Sequence, residues 1–275
     1  MLVTPVLPSA VRSSFPEAAS FSPLAEAGVV ARLRAAGCVF AEDEAALLIA
    51  AAPVPDELER LVARRVAGQP LEHVLGWAEF CGLRIEVDPG VFVPRWRTEF
   101  LAGCAVALAR PGAVVLDLCC GTGALSAALA EAVPGLDVHA ADIDPAAVAC
   151  AARNVRGGRV YCGDLYEPLP STLHGRVDIL VVNAPYVPTE AISLLPPEAR
   201  LHEAREALDG GADGYAVQRR VAAGARAWLA SGGHVLIETS QGQAPGTAEV
   251  FASQGMTTEV LHCEERDATV VVARM

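Results

Sequence analysis

Residues 114–123 read Val-Val-Leu-Asp-Leu-Cys-Cys-Gly-Thr-Gly, an apolar run followed at once by a loop that carries two glycines. The apolar run predicts a buried strand, and Leu125 and Leu129, on one face of the next stretch, predict a helix. Glycines in such a loop let a ligand approach the backbone closely, and the first turn of the helix offers free N–H groups. Alone, the pattern is weak evidence for a site, because many turns from strand to helix are rich in glycine.

Strands and helices continue to alternate after this stretch. The predicted architecture is therefore a mostly parallel sheet with helices on both faces, and the short turn between the last two strands predicts that these two are antiparallel. We predict strands over residues 136–141, 159–161, 177–182, 234–237, 257–262 and 268–273, and helices over residues 145–154, 215–230 and 244–253.

The first third of the chain has a different pattern. Short helical segments end at Gly37, Pro53 and Gly68, which predicts a small helical domain. Apolar alternation around Gly82 then predicts a pair of strands. The chain is thus predicted to comprise a loose leader (1–22), a helical domain (23–76), a β-hairpin linker (77–95) and an α/β domain (96–275).

The composition excludes several classes of protein. With 52% hydrophobic and 20% charged residues, the chain of 275 residues is too apolar to be disordered, yet no apolar stretch approaches the roughly 18 residues of a membrane span. A net charge of −12 and the lack of lysine disfavour a nucleic-acid partner. The first residues lack a secretory pattern, and the eight cysteines form no Cys-x-x-Cys pair, so we expect reduced thiols and no metal. We predict a cytoplasmic monomer that contacts no membrane.

Asp142 lies at the end of the second predicted strand of the α/β domain. An acid at this point can accept hydrogen bonds from both hydroxyls of a ribose, whereas for Asp144, directly before Pro145, helix capping is the preferred interpretation. Asp142 and the glycine loop together predict a nucleoside cofactor. Three residues after Gly123 stands Ser126, not the third glycine of a dinucleotide-binding fingerprint. The favoured cofactor is therefore S-adenosylmethionine, which has no phosphates to bind.

The stretch Asn183-Ala184-Pro185-Tyr186 follows the strong predicted strand 177–182. The Asn183 side-chain oxygen and the carbonyl of residue 184 can accept the two hydrogens of a planar NH₂ group, with Tyr186 flanking its face. Such a nitrogen is a poor nucleophile because its lone pair is delocalised, and two acceptors would hold it in line with a sulfonium methyl group. The alternative interpretation is an ordinary turn at the end of a strand. Its place behind the glycine loop and Asp142 favours the catalytic interpretation.

Taken in order along the chain, these motifs resemble the protein-(glutamine-N5) methyltransferases of the HemK/PrmC type, which modify the glutamine of the Gly-Gly-Gln motif in peptide chain release factors. The resemblance begins near residue 25 and depends on residues 68–76, 79–83, 91–95, 98–99, 117–123, 142, 163–165, 183, 185, 186, 203, 207–211, 213 and 214. It implies a seven-stranded class I S-adenosylmethionine-dependent methyltransferase (Rossmann-like) fold. It also implies S-adenosylhomocysteine as product, and a helical domain that docks a release factor.

The resemblance assigns roles to individual residues. It implies a catalytic group of Asn183, Ala184, Pro185 and Tyr186. It implies a cofactor-binding group of Asp117, Cys119, Gly121, Gly123, Asp142, Ile143, Gly163, Asp164, Leu165 and Asn183. It implies a substrate-binding group of Pro94, Arg95, Thr98, Asn183 and Tyr186. Glu238, placed just after the predicted strand 234–237, is expected to close the cofactor site or to cap that strand.

Several positions depart from the family's pattern. Ala184 replaces the first proline of the Asn-Pro-Pro-Tyr motif, and Cys119 replaces the first glycine of the cofactor loop. Trp96-Arg97 replaces a Pro-Glu pair, and Ala204 replaces a proline. We expect Ala184 to keep its carbonyl in a less rigid loop, and Cys119 is a tolerable replacement if its φ is negative. The changes cluster around the substrate, so methyl transfer is expected while the acceptor stays open.

Three functions therefore stay under consideration. The leading one is methylation of a glutamine amide in a release factor. The second is methylation of the exocyclic amino group of adenine in DNA or RNA, which presents the same planar NH₂ group but is disfavoured by the acidic charge. The third is a catalytically inactive module that binds S-adenosylmethionine, motivated by Ala184 and the altered segment at Trp96-Arg97.

Overall fold

The computed structural model describes residues 23–275, so the predicted leader lies outside the described residues. The helices of the described part are α1 (Pro23–Ala35), α2 (Ala41–Ala51), α3 (Pro55–Val66), α4 (Leu71–Leu75), α5 (Glu99–Leu108), α6 (Ala124–Ala132), α7 (Pro145–Asn154), α8 (Pro197–His202), α9 (Ala216–Trp228) and α10 (Ala244–Ala252). Its strands are β1 (Trp77–Phe80), β2 (Leu83–Glu86), β3 (Val114–Leu118), β4 (Asp137–Asp142), β5 (Arg159–Cys162), β6 (Val177–Val182), β7 (Leu229–Thr239), β8 (Thr257–Cys263) and β9 (Ala268–Arg274).

The first four helices pack around an apolar core of their own. In α3, Leu58, Leu61 and Val62 recur at helical spacing and are buried on one face. The buried Arg65 of the same helix pairs with Glu44 of α2, where Nε and Oε2 are 2.6 Å apart. This arrangement agrees with the predicted helical domain, whose boundaries stay a prediction.

The hairpin of β1 and β2 connects these helices to the rest of the chain. Cys81 and Gly82 form its two-residue turn, both with positive φ (51° and 74°), as tight antiparallel hairpins require. Phe80 and Ile85 are buried in the apolar core that α5 and α6 form against the large sheet. The hairpin is therefore anchored in the α/β domain by its own apolar side chains.

The large sheet has seven strands in the order β5-β4-β3-β6-β7-β9-β8. The first five are parallel neighbours, and β9 runs antiparallel to both β7 and β8. β4 and β5 follow β3 on one side of it in the sheet, and β6 and β7 then lie on the other side of β3. The carboxyl ends at such a switch point leave a crevice where ligands bind. The predicted doubly covered α/β fold with an antiparallel last pair is confirmed.

Helices cover both faces of this sheet because its inner strands are apolar on both sides. All five residues of β3 are buried. Leu116 and Leu118 pack with Trp228 of α9 on one face, while Val115 packs with Leu129 of α6 on the other. The alternation of side chains along a strand thus directs one apolar run into two cores.

Some elements match their predicted bounds and others do not. The helix over residues 145–154 and the strand over residues 177–182 are confirmed at both ends. β7 is longer than predicted, since it begins at Leu229 and includes Glu238, which was expected just beyond the strand. α5 was not predicted, because its sequence is apolar nearly throughout and shows no amphipathic period.

The described residues contain no helix that is both long and apolar enough to cross a membrane. Within the same part of the chain, no three His, Cys, Asp or Glu side chains are grouped so that they could hold a metal ion. All eight cysteines are described, and each is a free thiol.

Candidate active site

A cavity of about 700 Å³ lies at the carboxyl ends of β3, β4 and β6. Its wall brings together loops that are far apart in the sequence. The predicted site residues on this wall are Arg95, Cys119, Gly121, Asp142, Ile143, Asp164, Leu165, Asn183, Ala184, Pro185 and Tyr186. The predicted site residues that lie outside the wall are Pro94, Thr98, Asp117, Gly123 and Gly163.

Asp142, the last residue of β4, presents its carboxylate to the cavity. Gly121 donates its N–H to Oδ2 at 2.8 Å, and Asp144 donates its N–H to Oδ1 at 3.0 Å. Burial raises the pKa of this carboxyl group above its ordinary value, and the two N–H donors oppose that rise. The neighbouring Asp144 caps α7 by accepting the N–H of Ala146 at 2.8 Å, so its predicted capping role is confirmed. Asp142 therefore remains free to bind a ligand with its outer lone pairs.

Asp117 lies one layer behind the wall, in β3, and is fully buried. Its Oδ2 accepts hydrogen bonds from the N–H of Ser126 at 3.2 Å and from the Ser126 hydroxyl at 2.8 Å. Its Oδ1 has no partner among the described residues. Burial raises the pKa of Asp117 to about 7. Oδ2 thus holds the start of α6, whereas Oδ1 is a buried acceptor that can still accept a hydrogen bond.

The loop between β3 and α6 needs glycine at Gly123. This residue has a φ of +74°, and a Cβ built on it would lie 2.6 Å from Val155 Cγ2 and 3.1 Å from Ala151 Cβ. Any side chain here would separate the loop from α7. The close approach explains why Gly123 lies beneath the cavity wall while Gly121 lies on it.

Cys119 does not meet the condition that the sequence set for a tolerable replacement of glycine. Its φ is +58°, in the left-handed region, and not negative. The backbone keeps the conformation that glycine would adopt, because Cys120 must still donate its N–H to the carbonyl of Ala141 at 3.2 Å. A residue with a Cβ is strained in this conformation.

This strain leads to a stability prediction. Changing Cys119 to valine is expected to lower the free energy of unfolding by about 1–2 kcal/mol, because a β-branched residue is disfavoured at positive φ. Changing Cys119 to glycine is expected to leave it within about 1 kcal/mol of the original, since relief of strain offsets the entropy of an added glycine. Urea denaturation of both variants measures the difference. Equal stability of the valine and glycine variants would contradict the prediction.

The loop after β5 forms the far end of the cavity. Asp164 and Leu165 line it, and Leu165 has a φ of +49°. Arg220 of α9 donates to Asp164 Oδ2 at 2.7 Å. Ile143, directly after β4, lines the same cavity and exposes 56% of its surface. An exposed branched side chain and a polar loop on one cavity wall are suited to hold a flat heterocycle with polar edges.

The loop after β6 forms the near end. Asn183 is on the wall, and its Nδ2 donates to Thr98 Oγ1 at 3.4 Å. Tyr186 accepts a hydrogen bond on its hydroxyl from Arg97 at 3.0 Å, and its carbonyl accepts one from Gln243 at 2.9 Å. Burial raises the pKa of the Tyr186 phenol, which therefore stays neutral. Both side chains that the sequence assigned to the reaction centre are held by named partners.

The segments at residues 90–95 and 203–204 form an arch at the Asn183 end of the cavity. The buried carboxylate of Glu203 joins the two segments. This side chain binds Arg95 with Oε1 and Oε2 at 2.5 and 2.6 Å, and its Oε1 accepts the N–H of Val93 at 3.2 Å. The N–H of Ala204 donates to the carbonyl of Gly90 at 3.0 Å. Residues before the α/β domain are thus tied to residues after Tyr186. The proline that the family has at this position could not make this bond, because it has no N–H to donate.

Comparison with known proteins agrees with this geometry. The Methyltransferase small domain family matches residues 83–231, more than half of the chain. A release factor glutamine methyltransferase of Mycolicibacterium smegmatis is 42% identical over 225 residues, which are 79% of each chain. The chain belongs to the protein-(glutamine-N5) methyltransferase family. The resemblance seen in the sequence is confirmed.

The methyltransferase family has more than one kind of acceptor. A 4-amino-L-phenylalanine/4-methylamino-L-phenylalanine methyltransferase of Streptomyces pristinaespiralis is 36% identical to this chain and matches 74% of it, over 73% of its own length. A methyltransferase structure from Pyrococcus furiosus aligns with 77% of this chain at 18% identity and a TM-score of 0.55, covering 96% of that chain, and shows the shared fold. The cofactor of this methyltransferase is S-adenosylmethionine, and S-adenosylhomocysteine is the product.

The cavity of this methyltransferase fits that cofactor. Asp142 offers two carboxylate oxygens that each have one N–H partner and room for a hydroxyl donor. Asp117 Oδ1 is a buried acceptor without a partner and can serve a cationic amino group. Ile143 and Leu165 supply apolar surface for a base. The arginines on the wall, Arg95, Arg97, Arg205 and Arg220, are each paired with a carboxylate and are not grouped around a phosphate. Acceptors for hydroxyls and an ammonium, with apolar walls, suit a nucleoside sulfonium.

Three residues important to this methyltransferase cavity were missed or misplaced from sequence. Glu238 lies inside β7, 2% exposed, and accepts Arg97 Nε at 3.2 Å, so it neither caps the strand nor ends it. Arg97 was noted only as a departure, although it joins Glu238 to Tyr186. Arg220 was not assigned to the site from the sequence, but it binds Asp164 on the wall. Their partners are 56 to 141 positions away, and no local pattern indicates such pairs.

Proposed function

We propose that this enzyme transfers the methyl group of S-adenosylmethionine to the side-chain nitrogen of a glutamine in a protein, and that the protein is a peptide chain release factor. One observation carries the proposal. The polar wall around Asp142 and the amide-binding loop at Asn183 belong to a single continuous cavity. Relatives of closely similar length are release factor glutamine methyltransferases, which supports the choice of acceptor.

On the cofactor side, Asp142 would bind the ribose hydroxyls, and Asp117 Oδ1 the α-ammonium group. Asp164 and the backbone at Leu165 would bind the polar edge of the adenine, with Gly163 and Ile143 beside its faces. Cys119, Gly121 and Gly123 would shape the loop that lets the methionine part lie against the backbone. Asp142, Ile143, Asp164, Leu165, Cys119 and Gly121 line the wall, whereas Asp117, Gly123 and Gly163 lie behind it.

On the acceptor side, Asn183 Oδ1 and the carbonyl of Ala184 would accept the two amide hydrogens, and Tyr186 and Pro185 would flank the amide plane. Holding the nitrogen by both hydrogens directs its lone pair at the methyl carbon and favours the positive charge that develops on nitrogen. Ala184 is 1% exposed, so its neighbours hold the loop where the proline ring is missing.

The bound cofactor supplies an electrophilic methyl group: the amide nitrogen forms the new C–N bond as the S–C bond breaks, and sulfur keeps the electron pair. The N-methylated amide then loses one proton to water and becomes neutral. Methyl transfer needs no general base at residues 183 and 184. Their task is to orient the amide.

Three further assignments belong to the same proposal. Residues 23–76 would dock the release factor, since their helices stand beside the arch: Arg65 of α3 binds Glu198 of α8 on the cavity wall at 2.6 Å. Pro94 and Arg95 would contact the acceptor from the arch itself. The enzyme would act in the cytoplasm as a monomer.

A direct assay tests the acceptor. With methyl-labelled S-adenosylmethionine, a bacterial release factor is expected to gain one methyl group on the glutamine of Gly-Gly-Gln, mapped by peptide mass spectrometry. A release factor with that glutamine changed to glutamate is the matched control and should gain none, because the planar NH₂ is gone. Transfer to 4-amino-L-phenylalanine or to adenine in DNA or RNA, with none to the release factor, would overturn the glutamine proposal.

A further inference from the structure

A row of polar side chains continues from Asn183 into the protein interior, away from the cavity. Asn183 Nδ2 donates to the hydroxyl of Thr98 at 3.4 Å. Thr98 is only 4% exposed and lies off the cavity wall. Behind it, the Glu238 carboxylate is 2% exposed and binds Arg97, the residue next to Thr98. The hydroxyls of Thr98 and Tyr186 both lower the pKa of Glu238 against the larger effect of burial. Thr98, Asn183 and Glu238 come from the segment before α5, from the end of β6 and from β7.

Glu238 has an unused acceptor. Its Oε1 binds Arg97 Nε at 3.2 Å, while Oε2 is buried without a close partner among the described residues. A buried carboxylate oxygen needs a donor, and the neighbouring Thr98 hydroxyl is free to rotate toward it. The Thr98 proton is therefore directed at Glu238. The lone pairs of Thr98 are left for Asn183.

This order of donors decides which end of the Asn183 amide faces the cavity. Because Thr98 can only accept from Asn183, the NH₂ end turns toward Thr98 and the Oδ1 end is left for the acceptor. The reversed amide would present an NH₂ group to the NH₂ group of the acceptor, which repels it. The Glu238 carboxylate can only accept hydrogen bonds, and through Thr98 it thereby selects the catalytic orientation of the Asn183 amide.

Arg97 maintains the charge on which this order depends. A protonated Glu238 could donate to Thr98, and Thr98 could then donate to Asn183, which would reverse the orientation of the Asn183 amide. The carboxylate must therefore stay ionised, although burial opposes ionisation. Arg97 supplies the opposite charge, and its other end donates to the Tyr186 hydroxyl at 3.0 Å. The change from the family's glutamate to Arg97 places this cation here.

We propose that Thr98 and Glu238 are positioning residues that set the orientation of the Asn183 amide, with Arg97 holding Glu238 ionised. Thr98 then acts from behind Asn183 and does not bind substrate directly. The proposal rests on the proposed function for its kinetic consequence, but the orientation of Asn183 can be observed without any acceptor.

The kinetic test compares Thr98→Val with Thr98→Ser. Valine keeps the shape and removes the hydroxyl, so kcat is expected to fall by about 10- to 100-fold with the Kd of S-adenosylmethionine nearly unchanged, since one orienting hydrogen bond is lost. Serine keeps the hydroxyl and is expected to restore most of the rate. A valine variant with kcat within threefold of the original, or a serine variant as slow as valine, would overturn the proposal.

A spectroscopic test separates this inference from the proposed function. The chain has only two asparagines, so labelling with ¹⁵N-asparagine yields two side-chain NH₂ pairs. Asn154, whose Nδ2 donates to the carbonyls of Glu86 and Thr122 at 2.9 Å, is the internal reference. The Asn183 pair is expected to be protected from exchange and to lose that protection in Thr98→Val and in Glu238→Gln, while Asn154 does not change. An Asn183 pair that is unaffected in both variants would refute the inference whatever the acceptor is.

Discussion

Replacing Asn183 by alanine is expected to lower kcat for glutamine methylation by about 10²–10³-fold, the loss typical when one oriented polar group leaves a reaction centre. Asn183 is the only side chain proposed to accept a hydrogen from the acceptor amide. Without it the nitrogen is held by one hydrogen alone, and its lone pair is no longer directed at the methyl carbon.

The measurement is single-turnover methylation with saturating S-adenosylmethionine and release factor. The Kd of the cofactor, measured by calorimetry, serves as the control and should change much less than kcat, because most of the cofactor contacts lie on the loops after β3, β4 and β5. An alanine variant that retains more than about a tenth of kcat would show that the amide is not gripped by Asn183.

The second large effect is expected on cofactor binding. Changing Asp142 to alanine should raise the Kd of S-adenosylmethionine by about 10²–10³-fold, since hydrogen bonds to a charged group contribute about 1.5–3 kcal/mol each and the ribose would lose two. The change also leaves the N–H groups of Gly121 and Asp144 without their acceptor, which loosens the loop on which the cofactor lies. Calorimetric titration of the cofactor measures the effect.

Asp144→Ala is the matched control, two residues away and with the same change of charge. It removes a helix cap, so a loss of about 1 kcal/mol of stability is expected while the Kd of the cofactor changes by no more than about threefold. If both variants weakened the cofactor equally, net charge near the cavity would explain the effect and the ribose assignment would be wrong.

Local sequence patterns were sufficient to predict most of the strands and helices of the α/β domain. The strand at residues 177–182 and the helix at residues 145–154 show their period within a few residues, and burial follows that period in the fold. The distinction between Asp142 and Asp144 was also local, because a residue directly before a proline at a helix start is placed to cap it. The predicted edge of the sheet did bring Asp142 and Asn183 to one cavity.

Other features of the site depended on partners that sequence patterns do not reveal. The positive φ of Cys119 accompanies the hydrogen bond from the Cys120 N–H to the carbonyl of Ala141 in β4, and the residue type could not indicate it. Thr98 was expected to touch substrate, yet it lies behind Asn183. Arg97 stood out only as an unusual residue, and nothing in its neighbourhood along the chain pointed to Glu238, 141 positions later.

The sequence by itself determined the class of enzyme, its cofactor and the loops that contain the proposed site residues, because strand ends, glycine turns and helix starts are specified by short runs of residues. Only the tertiary structure decided how Asn183 is oriented and what holds its orientation. That depends on a threonine and an adjacent arginine that lie next to a buried carboxylate from a distant segment, and hydrogen bonds act across a few ångströms of space regardless of distance along the chain.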